Sequence, residues 1–140
     1  MPTKPEHVLV DTSVAIAAML ATHDAHPSAS AALARTRPGL AGHAWFETFS
    51  VLTRLPPPQR GSPADIAHAL TTNFPGTQWL SETAAADVAA RCASLGIAGG
   101  AIYDALVAAT AIDHSLPLLS RDRRAISTYT ALGAEIRVVS

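Results

Sequence analysis

The sequence predicts an α/β fold: a three-layer sandwich in which a five-stranded parallel sheet carries helices on both faces. Two observations predict it. Short apolar runs alternate along the chain with longer stretches of helical period. Those runs are apolar at every position instead of at every second one, the pattern of strands buried on both faces.

The first strand is Val8–Val10, followed by a helix over Thr12–Ala21. An alanine-rich helix over Ser28–Arg37 enters through Pro27 and is stopped by Pro38-Gly39. A short extended piece near Leu40–Gly42 is the second strand, and it leads into a helix over Ala44–Leu55. That helix ends at Pro56-Pro57-Pro58, which cannot continue it. Ser62-Pro63-Ala64-Asp65 has the marks of a helix start: a capping hydroxyl, a first-turn proline and an acid near the positive dipole end. Gln78–Leu80 is the third strand, and Ser81 caps a helix through Leu95 that Gly96 ends. After Gly99-Gly100 come a helix over Tyr103–His114, the strand Leu116–Leu119, a helix over Arg123–Leu132 and the last strand, Ile136–Val139.

At 140 residues the chain suits a single domain spanning residues 1–140. Hydrophobic residues make up 49% and charged residues 15%, so part of the surface is expected to be covered by a partner. The net charge of -1 does not advertise nucleic-acid binding. Every basic residue except Lys4 is arginine, however, and a few guanidinium forks can hold phosphate without a globally basic surface. Cys92 is the only cysteine, which excludes an internal disulfide and points to a reducing cytoplasm. Asp11 interrupts the N-terminal apolar stretch, and Val14–Ala21 is too short to cross a bilayer, so neither a secretory signal nor a membrane span is expected.

Four acids stand out. Asp11 closes the apolar run Val8-Leu9-Val10, and Asp122 follows Leu116–Leu119 after only Ser120 and Arg121. Glu47 and Asp104 lie near the starts of two otherwise apolar helices. Strand carboxyl ends and the starts of the helices that follow them share one edge of a parallel sheet, where such folds bind ligands. Carboxylates gathered there repel one another unless a cation or shared protons neutralise them.

Each acid also has a purely structural reading. Asp11 and Asp122 could cap the helices that follow them. Glu47 shares a polar stripe with Ser50 and Arg54, where a solvated glutamate is ordinary. Asp104 is harder to explain in that way. It shares the stripe of Val107, Ala108 and Ala111, and a favourable dipole contact worth about 0.3–1 kcal/mol would be served equally well from the solvent side.

An all-carboxylate set suits Mg²⁺ or Mn²⁺, and with it metal-assisted hydrolysis of a phosphodiester. Ser13 and Ser120 are placed to hydrogen-bond a carboxylate or a ligand water. Arg121, Arg123 and Arg124 are candidates to grip RNA phosphates. Rival chemistries are weaker. His23 and His26 have zinc-like spacing but no nearby third ligand, no Gly-x-Gly-x-x-Gly follows a strand, and Asp11-Thr12-Ser13 lacks the second Asp of an aspartyl-phosphate phosphatase.

The strings Val8-Leu9-Val10-Asp11-Thr12-Ser13-Val14, Gly99-Gly100-Ala101-Ile102-Tyr103-Asp104-Ala105-Leu106-Val107-Ala108-Ala109-Thr110-Ala111 and Leu118-Leu119-Ser120-Arg121-Asp122, with the Glu47 helix between them, resemble the PIN domain. Within it they resemble the VapC toxins of bacterial toxin–antitoxin pairs. The resemblance spans essentially the whole chain, and the Asp104 segment is its most specific part. It implies an Mg²⁺- or Mn²⁺-dependent endoribonuclease that cuts structured RNA such as tRNA or rRNA. Carried over by position, Asp11 and Asp104 would be the principal metal ligands, Glu47 would complete the acidic pocket, and Asp122 would bind a second metal or a ligand water. Ser120 stands where the family often has Thr or Asn. The resemblance also implies a homodimer and inhibition by a cognate VapB antitoxin. Two other readings share the same fold: a PIN nuclease of RNA processing, and a silent PIN module that only binds RNA or a partner.

Overall fold

The computed structural model describes residues 4–140. β1 (Glu6–Val10) is followed by α1 (Thr12–Met19), α2 (His26–Leu33), β2 (Thr36–Leu40) and α3 (His43–Thr53). Then come α4 (Pro63–Asn73), α5 (Glu82–Leu95), α6 (Ala101–Asp113), β3 (Leu118–Ser120), α7 (Arg123–Leu132) and β4 (Ile136–Val138). The strands form one parallel sheet in the order β2-β1-β3-β4. Val8, Leu9 and Val10 are all buried, so both faces of the central strand are covered. The core they anchor includes Val14, Leu40, Leu52, Leu118 and the Ala105–Ala108–Ala111 stripe of α6.

The helix boundaries follow local chemistry. The hydroxyls of Ser62 and Ser81 accept hydrogen bonds from the amides of Asp65 and Ala84, capping α4 and α5. Gly96 ends α5 with a positive φ of 72°. α7 spans Arg123–Leu132, the limits expected from the sequence.

Two expectations need correction. The sheet has four strands, not five: Gln78 makes only a single parallel bridge to Ala41. Its neighbour β2 stops at Leu40 because α3 begins at His43, leaving almost no extended backbone for a fifth strand to pair with. The helix expected over Ser28–Arg37 ends instead at Leu33. Arg35 takes a positive φ of 63°, and Arg37, Pro38 and Gly39 pair along β1 as part of β2. Pro38 sits in an edge strand with its carbonyl turned away from β1 to accept from the Gly76 amide at 2.9 Å, so its missing N–H costs no ladder bond to β1. Gly39 is required by that contact, since a Cβ there would overlap the Gly76 carbonyl group. The Pro-Gly pair therefore marks a strand pressed by a turn, not a helix stop.

Candidate active site

The central strands β1 and β3 run side by side, and the Asp11 amide donates to the Leu119 carbonyl at 3.1 Å as both strands end. This brings Asp11 and Ser120 together across the sheet edge. Asp11 is 3% exposed and accepts four hydrogen bonds. Oδ1 takes the Ser13 hydroxyl at 2.5 Å and the Val14 amide at 3.2 Å. Oδ2 takes the Ser120 hydroxyl at 2.5 Å and the Tyr129 hydroxyl at 2.9 Å. A carboxylate offers roughly four lone-pair sites, so Asp11 is saturated.

The two serines are held in that role from behind. Ser13 Oγ accepts the Arg121 amide at 2.8 Å, and Ser120 Oγ accepts the Asp122 amide at 3.1 Å. With their lone pairs directed to backbone donors, their protons point at Asp11. Burial still dominates its titration: desolvation pushes the Asp11 carboxyl above its ordinary value, against the opposing pull of its hydrogen bonds.

The other three acids approach this point from separate helices. Glu47 on α3 accepts from the Thr12 hydroxyl at 3.1 Å and lies 3.2 Å from His43 Nε2, one helical turn earlier. Asp122 caps α7, accepting the Arg124 and Ala125 amides at 3.0 and 3.3 Å on Oδ1. Asp104 sits in the first turn of α6, at the outer end of that helix's buried stripe. Its carboxyl is pushed up by desolvation first, then by the charges of Asp122, Glu47 and Asp11, with Arg124 opposing. Asp104 thus feels each of the other three acids. As they stand, however, no group of three or more His, Cys, Asp or Glu side chains among the described residues is arranged to hold a metal ion.

The three arginines separate. Arg124 reaches the acids, with Nε 4.0 Å from Asp122 Oδ1, and its side chain is 96% exposed. Arg121 supplies its amide to Ser13, while its Nε is buried without a hydrogen-bond partner among the described residues. Arg123 lies beside Ile126 and Val138 near the β4 edge.

Four residues at the site were not anticipated: Thr12, His43, Tyr103 and Tyr129. Tyr129 had a legible signal, since it shares the buried stripe of α7 with Ala125 and Leu132. A tyrosine in a core stripe needs a partner for its hydroxyl, and the helix it lies on begins at one of the acids. The donor set has the chemistry of a hard-cation site, being all carboxylate oxygen with hydroxyl support.

A parallel α/β sheet with an acid-lined carboxyl edge and a hydroxyl-clamped aspartate is the architecture of a PIN nuclease domain. The PIN-domain family model matches residues 8–130, and the chain belongs to that family. It is 44% identical to ribonuclease VapC27 of Mycobacterium tuberculosis over 131 residues, covering 94% of this chain and 96% of that protein. Its fold is similar to FitAcB from Neisseria gonorrhoeae, with a TM-score of 0.67 at 20% identity over 92% of this chain and 95% of that one. It is also similar to VapBC2 from Rickettsia felis bound to a DNA fragment from their promoter, with a TM-score of 0.66 at 11% identity over 96% and 99% of the two chains. At those identities the two structures speak for the fold alone.

Proposed function

We propose that this chain is a VapC-type toxin, a divalent-metal-dependent endoribonuclease neutralised by a cognate VapB-like antitoxin. The observation that carries the reading is the approach of Asp122, Glu47 and Asp11 to Asp104 from separate elements, so that a carboxyl already pushed up by burial is pushed further by their charges. Such a field is unfavourable until a cation enters it.

Asp104, Glu47, Asp122 and Asp11 would hold Mg²⁺ or Mn²⁺. When bound, the ion lowers the pKa of a water and offsets charge on the phosphodiester. Asp104, Glu47 and Asp122 are all only partly buried, and Asp11 supplies the buried negative charge that fixes the pocket's floor. For Asp11 to give an oxygen to the ion, one of its four donors must turn aside. Ser13 and Ser120 orient Asp11, and Thr12 and His43 orient Glu47. Arg124 is the guanidinium best placed to meet an RNA phosphate, with Arg121 behind it and Arg123 farther along the surface.

The 44% identity to a VapC ribonuclease over nearly the full length of both chains supports the toxin assignment over an RNA-processing role. The family's pairing supports an antitoxin partner and a homodimer, and a cytoplasmic site of action. No helix among the described residues is long and apolar enough to cross a membrane.

The test is RNA cleavage by the purified protein with Mn²⁺ or Mg²⁺, in chelator, and with Asp104→Asn. The expected result is cutting with the ion alone and none in the other two arms. Undiminished cutting in excess chelator would reject the metal-dependent mechanism. Growth arrest on expression without the antitoxin, relieved by Asp104→Asn, tests the toxin role.

A further inference from the structure

The acids leave a binding problem. Before a cation enters, the pocket repels phosphate, the whole chain carries a net charge of -1, and Arg124 is the one arginine seen to act on the acids. Ionic attraction is a weak source of RNA affinity here. Another grip stands at the rim.

Tyr103 directly precedes Asp104 in the first turn of α6 and is 50% exposed. Its ring stacks on His43, with centroids 5.0 Å apart and planes within 15°. His43 opens α3, and its Nε2 lies 3.2 Å from Glu47 Oε1. The imidazole is therefore fixed on its edge by an acid of the pocket and on its face by Tyr103. Only one side chain separates the tyrosine ring from Glu47. A tyrosine that merely filled space would bury its ring. This one keeps half its surface open beside two of the acids.

The same helix face continues the pattern. His43, Phe46 and Glu47 are three and four residues apart and so share one side of α3. Phe46 is exposed, and it meets the half-exposed Trp79 at a centroid distance of 5.4 Å. Aromatic surface thus flanks Glu47 along the helix.

We propose that the free face of Tyr103, backed by His43, is a stacking platform for an unpaired nucleobase next to the phosphodiester that is cut. The proposal deepens the ribonuclease reading and rests on it. Stacking on an aromatic face needs no positive charge, and every base has a π-face to offer, so it supplies the affinity that the acids deny. It also selects for single-stranded or loop nucleotides, because a base within a duplex has both faces covered. Phosphates then lie beside Arg124 and the acids while the base is held to one side. The Phe46–Trp79 pair offers a second station farther along the strand.

The test uses a single-stranded adenylate RNA of about ten nucleotides, within the span such sites cover, bearing one 2-aminopurine. Binding is measured in chelator and cutting in Mn²⁺. The wild type is expected to quench the 2-aminopurine. Tyr103→Ala should weaken binding about 5- to 160-fold and remove the quenching, and Tyr103→Phe should keep both. The salt dependence should stay unchanged in Tyr103→Ala and become shallower in Arg124→Ala, since stacking releases no counterions. Cutting in Mn²⁺ with equal RNA affinity in wild type and Tyr103→Ala would overturn the platform while leaving the ribonuclease standing. Equal RNA affinity accompanied by weakened self-association would assign the ring to an interface between copies and overturn it as well. Neither binding nor cutting of any RNA by the wild type would overturn both readings.

Discussion

The Tyr129 hydroxyl donates to Oδ2 of Asp11 at 2.9 Å, joining residues 118 positions apart in the chain. The tyrosine is itself buried, and desolvation, followed by the Asp11 charge, pushes its own ionisation up, so it remains a donor at every working pH. It closes the set of four donors that holds a buried carboxylate in one orientation. Tyr129→Phe removes that donor and little else. Loss of a hydrogen bond to a charged group predicts a stability decrease of about 1.5–3 kcal/mol, read from the urea midpoint at unchanged slope.

The two aspartates expected to lead the site should respond differently to amide substitution. Asp104→Asn is predicted to lower the cleavage rate by about a hundredfold or more and, by removing a disfavoured charge, to raise the stability of the metal-free protein at neutral pH. In Asp11→Asn the new NH₂ group faces hydroxyl and amide donors, so that variant should lose stability as well as activity. Cleavage assays paired with thermal unfolding separate the two.

The metal-free protein should gain stability as pH falls through the raised pKa values of Asp11 and Asp104, contrary to ordinary acid denaturation. Asp11 and Asp104 both titrate above their ordinary value of 3.8 when folded. A raised acid contributes stability that is full below the unfolded pKa and is lost as pH rises through the folded one. Groups shifted downward, such as Glu6 beside Arg137 and Asp113 at the Ser81 amide, act oppositely but only at lower pH. Melting curves in chelator test this, and Asp104→Asn should flatten the slope.

Adding Mn²⁺ near neutral pH should reverse that penalty. At a free concentration one hundred times its dissociation constant, the ion is predicted to stabilise the fold by about 2.7 kcal/mol. Asp104→Asn should remove most of the rise in melting temperature. A rise equal in both proteins would place the ion elsewhere.

Gly39→Ala tests the packing of the β2 edge. Its new methyl would meet the Gly76 backbone, which has no flexible side chain to yield. A loss of about 3 kcal/mol is expected, with the register of β1 against β2 disturbed.

The sequence by itself determined the α/β order, most helix ends and where along those elements the four acids fall. Caps such as Ser62 and Ser81, the apolar runs of β1 and β3, and the inward phase of Asp104 are local patterns, set by residues within a turn or two of one another. The resemblance in the Asp104 segment was equally local. Tertiary structure alone decided the rest. Pro38-Gly39 became a strand because the turn at Gly76 packs on it, and the fifth strand shrank to one bridge because β2 ends so close to α3. The saturation of Asp11 by Ser120 and Tyr129, and the seating of Tyr103 on His43, join side chains from distant segments. Periodicity states which way a residue faces along its own helix. Which hydroxyl or ring it meets there depends on how the elements close on one another, and that is a property of the packed fold.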